Sequence, residues 1–295
     1  MWFNAVFKHS TWLLVSLSLF TQTLQAQTIE PVQRIISLAP SLTELVYSAG
    51  AGAQLVGVVN YSDYPNDALN KANVGSYNAL NLERIIELNP DLILAWASGN
   101  KPQDIARLQN MGFKVLVRDT QQLADIPKLI AEIGRLTGNS HTANAEAKRL
   151  SDQLTQLSQD YQHASPISVF YQVWHQPLIT VNGEQFIGQA IRLCGGVNVF
   201  ADQTALAPKV SREAVIKANP NLILLGGMGE MQQAWLAHWR AVPFLQATQN
   251  QHLFTLNADQ YQRPTARLID GLAPLCQLID QVRQANQAEH HKQLH

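Results

Sequence analysis

Two stretches of the chain decide how it folds: NLERIIELNPDLIL, residues 81–94, and SREAVIKANPNLIL, residues 211–224. Each opens on a short polar side chain, Asn81 or Ser211, suited to cap a helix start. Each places a glutamate two positions on, Glu83 or Glu213, where the helix macrodipole favours negative charge. Each then passes through Asn-Pro, which ends a helix, into an apolar Leu-Ile-Leu that reads as a buried strand. The spacing is identical in the two copies. One helix–break–strand unit therefore occurs twice, which predicts two lobes related by internal duplication, with the cleft between them as the natural ligand site.

Working outward, strand and helix signals alternate on both sides. In the first half, residues 34–38, 55–59, 92–95 and 114–117 read as strands. Residues 42–49, 82–88 and 105–110 read as helices, the first stopped by Gly50 and the last by Gly112. In the second half, strands are expected at 167–173, 178–181, 222–225 and 252–256, with a turn at Asn182-Gly183. Helices are expected at 186–193, 232–239 and, with interruptions, 263–285, and the polar tail from 289 is expected to fray. Between the halves, residues 127–163 carry apolar positions at helical spacing and no strand. They read as one long helix, or two joined near Gly138-Asn139, connecting the lobes. The expectation is an α/β fold of two lobes, 32–126 and 166–287, each a mainly parallel sheet with flanking helices, joined by one long α-helix.

Hydrophobic residues make up 46% of the chain and charged residues 15%, with a net charge of −1. This is a globular composition without the clustered basic residues of a nucleic-acid footprint. Residues 1–26 read as a secretory signal: Lys8 and His9, then the apolar run 12–20, too short to span a bilayer, then Leu24-Gln25-Ala26 before the cut. Export to the periplasm follows, and no cysteine near the cut offers a lipid anchor. Export also permits disulfides. A single bridge between Cys194 and Cys276 is the simplest reading, and two buried free thiols are the other. Cysteines so far apart do not form a metal site. No G-x-S-x-G, P-loop or H-E-x-x-H string occurs, so a binder rather than an enzyme is expected. An exported two-lobed hydrolase is the alternative of a different class. It would need a nucleophile and a base facing the cleft.

The strings YSDYP (61–65), NLERI (81–85), PDLILAW (90–96), CGG (194–196) and VSRE (210–213) carry a resemblance. Across about residues 34–283 the chain resembles the periplasmic vitamin B12-binding proteins of ABC importers, within the class III group that also takes haem and ferric siderophores. The resemblance implies a corrinoid ligand, no cofactor and no metal of the protein's own. It also implies a monomer that does not itself span the membrane and is partnered by a dimeric permease and its ATPase subunits. Tyr61 and Trp96 match aromatic residues of the ligand cleft. Asp259, Gln260, Tyr261, Gln262 and Arg263 form the matching loop of the second lobe. Tyr77 stands where the family can have Trp. Ala207 stands where Trp is expected, a loss that Trp174 or His175 partly makes good. Glu83 and Glu213 match the carboxylates that dock the permease. Haem or a ferric siderophore is the alternative ligand.

Each of these residues also has a plainer reading. Aromatic side chains pack cores more often than they line clefts. Asp259 and Arg263 could be a surface ion pair. His175 could ligate cobalt, but a lone histidine after an apolar strand is more often structural. The tail histidines His290, His291 and His295 belong to a polar end rather than a metal site.

Overall fold

The computed structural model describes residues 30–227 and 229–293, with side chains described as far as residue 288. The signal reading at 1–26 and the side chains of the tail histidines lie outside these residues.

In the first half, β1 (Ile35–Ser37) leads to α1 (Pro40–Ser48), β2 (Leu55–Val58) and β3 (Ala72–Asn73). A hairpin of β4 (Gly75–Ser76) and β5 (Ala79–Leu80) precedes α2 (Leu82–Leu88), β6 (Leu92–Trp96), α3 (Pro102–Asn110) and β7 (Val115–Arg118). The five-stranded sheet has order β3-β2-β1-β6-β7, all parallel. Two helices follow, α4 (Asp125–Thr137) and α5 (Ser140–Tyr161). In the second half come β8 (Ile167–Gln172), α6 (Phe186–Leu193), β9 (Gly196–Asn198), α7 (Arg212–Ala218) and β10 (Leu222–Leu225). Then come α8 (Glu230–Arg240), α9 (Gln246–Gln249), β11 (Leu253–Thr255), α10 (Ala258–Tyr261), α11 (Ala266–Asp270) and α12 (Leu272–Gln293). The second sheet is β11-β10-β8-β9, also all parallel.

The duplicated unit is built the same way twice. The Asn81 side chain accepts from the backbone N–H of Arg84, and Ser211 accepts from that of Ala214, so both helices are capped as their first residues dictate. Both end at an asparagine in the left-handed region, Asn89 (φ 41°) and Asn219 (φ 44°), a conformation asparagine tolerates better than most residues. Asp91 then accepts from the backbone N–H groups of Gln33 and Arg34. Its counterpart Asn221 accepts from the N–H and hydroxyl of Ser168. Each break is thereby tied to the start of the strand beside it. β9-β8-β10-β11 repeats the order β2-β1-β6-β7.

Both sheets are covered on two faces, which is why their strands are continuously apolar. Ile36, Ile93 and Ile85 pack on the outer face of the first sheet, and Phe170, Ile223 and Trp239 on that of the second. The inner faces share one core. It runs from Ile35 and Leu45 through Ile130 and Ile133 of α4 and Leu150 of α5 to Tyr171, Leu268 and Ile279. The expected connector is two helices. Thr137 ends α4 because Gly138 is left-handed (φ 77°), and α5 starts afresh at Ser140. The 22 residues of α5 span about 33 Å and pack against α4 on one side and α6, α11 and α12 on the other.

Two expectations need correction. Residues 178–181 form no strand; Ile179 makes only single bridges to Trp174 and Lys209. The interruption expected within 263–285 falls at Gly271, whose amide closes α11 by bonding Arg267 O. The backbone beyond 289 continues α12 to Gln293 instead of fraying at once. β3, the β4–β5 hairpin and β9 have too few residues to leave a period in the sequence.

Candidate ligand-binding site between the lobes

Almost every expected ligand residue sits just past the C-terminal end of a parallel strand, where α/β sheets expose loop backbone and helix starts to ligands. Tyr61 follows β2, Trp96 ends β6, Trp174 follows β8, and Asp259 to Arg263 follow β11. Tyr77 comes from the hairpin tip. Tyr61 is 75% exposed and held left-handed (φ 65°), a conformation rarely kept by a non-glycine residue without a positional reason. Tyr77 and Trp174 are exposed too, at 40% and 44%.

The first lobe holds Trp96 and Tyr77 as one unit. Their rings lie 6.1 Å apart, tilted by 53°. Asn100, almost fully buried, accepts from the Trp96 amide (2.7 Å) and donates to the carbonyls of Tyr77 (2.8 Å) and Leu38 (2.9 Å). The Trp96 indole donates to Asp119 (3.0 Å), which also accepts from Ser98. An exposed Tyr77 ring and a partly buried Trp96 ring, the latter lying against Gly99, therefore stand on one bonded frame.

In the second lobe, Trp174 meets Trp235 of α8 edge to face, and His175 lies against the same Trp235. His175 stacks on His238 at 4.7 Å. Burial, reinforced by His238, holds His175 below its ordinary pKa and so neutral. The two imidazoles face one another flat-on, and the His175 ring reaches that of Trp174 through the Trp235 ring that both of them contact.

The loop after β11 divides by side chain. Tyr261 is buried and donates to Gly271 O (2.7 Å). Gln260 bonds Arg267 O, and Gln262 donates to Gly226 O and the Tyr171 hydroxyl. These three hold the loop. A Cβ on Gly226 would stand 1.9 Å from that hydroxyl, so only glycine lets the loop close down here.

Asp259 and Arg263 do face the other lobe, within a network broader than the pair expected. Arg263 Nη1 donates to Asp63 (2.7 Å) and Glu44 (3.1 Å), and Nη2 to Asp259 (2.8 Å). Arg267 grips Glu44 with Nε (2.8 Å) and Nη2 (2.5 Å), and its guanidinium lies 3.9 Å from the Tyr64 ring centre. Glu44 of α1 is only 3% exposed. Burial alone would raise the Asp63 carboxyl, but the hydrogen bond and charge of Arg263 outweigh it and hold Asp63 below its ordinary value. Burial would likewise depress Arg263, and its bonds to Asp63 and Glu44 reverse that.

Glu44, Asp63, Tyr64, Asn100, Asp119 and Arg267 were not singled out from sequence. Asp63 and Tyr64 lie in the YSDYP string, and Arg267 is one helical turn beyond Arg263. Glu44 had no signal, being a charged residue within an ordinary helical run. Ala207 is exposed and leaves no wall of its own.

Glu83 and Glu213 lie in the first turns of α2 and α7, both exposed. Hydrogen bonds from its own N–H and from the Ser211 hydroxyl keep Glu213 below the usual carboxylate range. Cys194 and Cys276 form a disulfide, joining the end of α6 to α12. A surface depression of about 560 Å³ lies elsewhere, between α5 and α6. One of about 410 Å³ is lined by Tyr61, Ser62 and Asp63 together with other residues of the first lobe alone.

A family model described as periplasmic binding protein matches residues 35–260, which covers both sheets and the start of the loop after β11. The chain belongs to the periplasmic binding protein family. This periplasmic binding protein is 38% identical over 250 residues to the vitamin B12-binding protein of Vibrio cholerae serotype O1, covering 83% of this chain and 88% of the relative. It is 34% identical over 261 residues to the vitamin B12-binding protein of Pectobacterium atrosepticum, covering 86% and 90%. The solved structure of the periplasmic vitamin B12 binding protein BtuF of Vibrio cholerae matches with a TM-score of 0.79 at 37% identity, over 86% of this chain and 98% of that one. A haem-binding relative, BhuT, shares the fold at a TM-score of 0.75 and 20% identity. Among the described residues, no helix is long and apolar enough to cross a membrane.

Proposed function

We propose that this chain captures a corrinoid of the vitamin B12 type between its two lobes in the periplasm and hands it to an ABC-importer permease without chemical change. Identity of 34–38% to relatives bearing that ligand's name, over most of their length, supports the ligand. The observation that carries the reading is that both lobes carry aromatic residues beside the C-terminal ends of their parallel strands, Tyr61 and Trp96 with Tyr77 of the hairpin in one and Trp174 in the other. A corrin is a broad, largely apolar disc fringed with amide arms, and flat aromatic faces with a polar floor suit it. Asp259 and Arg263 supply polar contacts at that floor. Gln260, Tyr261 and Gln262 keep their place by holding the loop, with their backbone nearest the ligand.

Delivery rests on Glu83 and Glu213. One projects from each lobe at equivalent positions, so two charge-assisted pairs with basic residues of a permease dimer would fix the docking register. The protein acts as a monomer, after removal of residues 1–26. Ligand is released by work done elsewhere, in the ATPase subunits. The shared core under both lobes makes the hinge stiff, so capture needs little closure. The test is a Glu83→Ala, Glu213→Ala double variant. Transport by the reconstituted importer is expected to be lost while affinity of the isolated protein stays within about twofold, since a docking role needs no contact with the ligand. A large loss of affinity in the isolated variant would contradict the docking role.

A further inference from the structure

The interlobe ion network bears on which ligand charge the cleft accepts, given the corrinoid reading above. Five formal charges meet at the floor: Glu44, Asp63 and Asp259 against Arg263 and Arg267. The acids outnumber the bases. Asp119, bonded to the Trp96 indole, adds a further negative charge beside the aromatic wall. The donors are also largely spent. An arginine has five N–H donors. Both Nη1 hydrogens of Arg263 go to Glu44 and Asp63, and one Nη2 hydrogen goes to Asp259. What remains are single N–H groups on a guanidinium whose charge is already answered. Arg267 turns its Nε–Nη2 edge to Glu44, which is buried in the opposite lobe, and also reaches Asp259 O from Nη2, so its guanidinium charge is answered as well.

The geometry points to Glu44 and Asp63 as specificity-determining residues that make the cleft a charge filter, accepting neutral amide arms and rejecting carboxylates. Amide carbonyls can take the leftover N–H groups without bringing charge, and amide N–H₂ groups can donate to Asp259 and Asp63. A carboxylate arm would meet three acids at short range in a partly desolvated site. Like-charge juxtaposition of that kind is costly. Neither residue needs to touch the ring: Glu44 acts through the two arginines it holds.

The test compares two ligands with the same ring: dicyanocobinamide, whose arms are amides, and dicyanocobyrinic acid, whose arms are carboxylates. The wild-type protein is expected to bind the amide form at least about a hundredfold more tightly. Asp63→Asn, a change at a half-exposed side chain that should fold normally, is expected to narrow that ratio about tenfold by removing one charge. Glu44→Gln is expected to narrow it further if it folds, and Asp63→Asn carries the test if it does not. Equal binding of the two ligands by wild type would overturn the filter while leaving the corrinoid reading intact. A ratio unchanged in Asp63→Asn would overturn the assignment to these residues. Binding of neither corrin would remove the corrinoid reading, and the filter with it.

Discussion

Trp96 joins two requirements that usually conflict, partial exposure and a fixed position. Its amide is held by Asn100 and its indole N–H by Asp119, so the ring keeps its place while it is only partly buried. Trp96→Ala should weaken corrinoid binding by about 10- to 100-fold, the loss expected when an aromatic anchor is truncated, with Trp96→Phe in between. Titration calorimetry on the folded variants measures this, and unchanged affinity would remove Trp96 from the site. His175 yields a prediction about pH. Its folded pKa lies below its unfolded value near 6.5, so the unfolded chain takes up a proton that the folded one resists. Stability is therefore fully present above pH 6.5 and falls as the pH drops below it. Thermal unfolding at pH 7.5 and 5.5 should show that drop in wild type and a smaller one in His175→Gln. An equal drop in both would place the cause elsewhere.

At the scale of elements, the repeated unit shows what a sequence discloses and what it withholds. α2 was legible to the residue and α7 by its start and its break, because each carries its own cap and its own Asn-Pro. Those signals are local, so no tertiary knowledge was needed. The strand expected at 178–181 failed for the opposite reason. Its residues are apolar enough, but pairing is a property of the neighbour, and Ile179 finds only isolated bridges. The break of the connector at Gly138 was legible as one of two possibilities, and the left-handed glycine decides it. Loss of either cap, Asn81→Ala or Ser211→Ala, should cost about 1 kcal/mol of stability in chemical denaturation. The two losses should add, because the sites lie in different sheets. A cost near zero at both would mean that tertiary packing alone sets these helix starts.

At the scale of the molecule, the two lobes and the cleft between them could be read from the duplication, and the aromatic residues could be placed at strand ends. The floor of the cleft could not. Glu44 and Arg267 stand far apart in the chain, and nothing local marks a buried carboxylate that waits for two arginines of the other lobe. Asp259 and Arg263 looked like a possible surface pair. They do form that pair, but with Glu44 and Asp63 added it becomes a junction between lobes. The disulfide acts at the same scale. It closes a loop across 82 positions within the second half, so a Cys194→Ser, Cys276→Ser double variant should lose about 2–5 kcal/mol in denaturant unfolding. Corrinoid binding should persist, because the bridge lies behind the sheet and away from the strand ends.

The central claim is the ligand, and the most direct measurement is isothermal titration of the chain from Gln27 onward with cyanocobalamin, cobinamide, haem and a ferric siderophore. Saturable one-to-one binding of the corrinoids, with none of haem or siderophore, is the result this account predicts. Binding of haem or the siderophore in place of the corrinoids would contradict it, leaving the fold and the docking glutamates in place but assigning the cleft to a different chemistry.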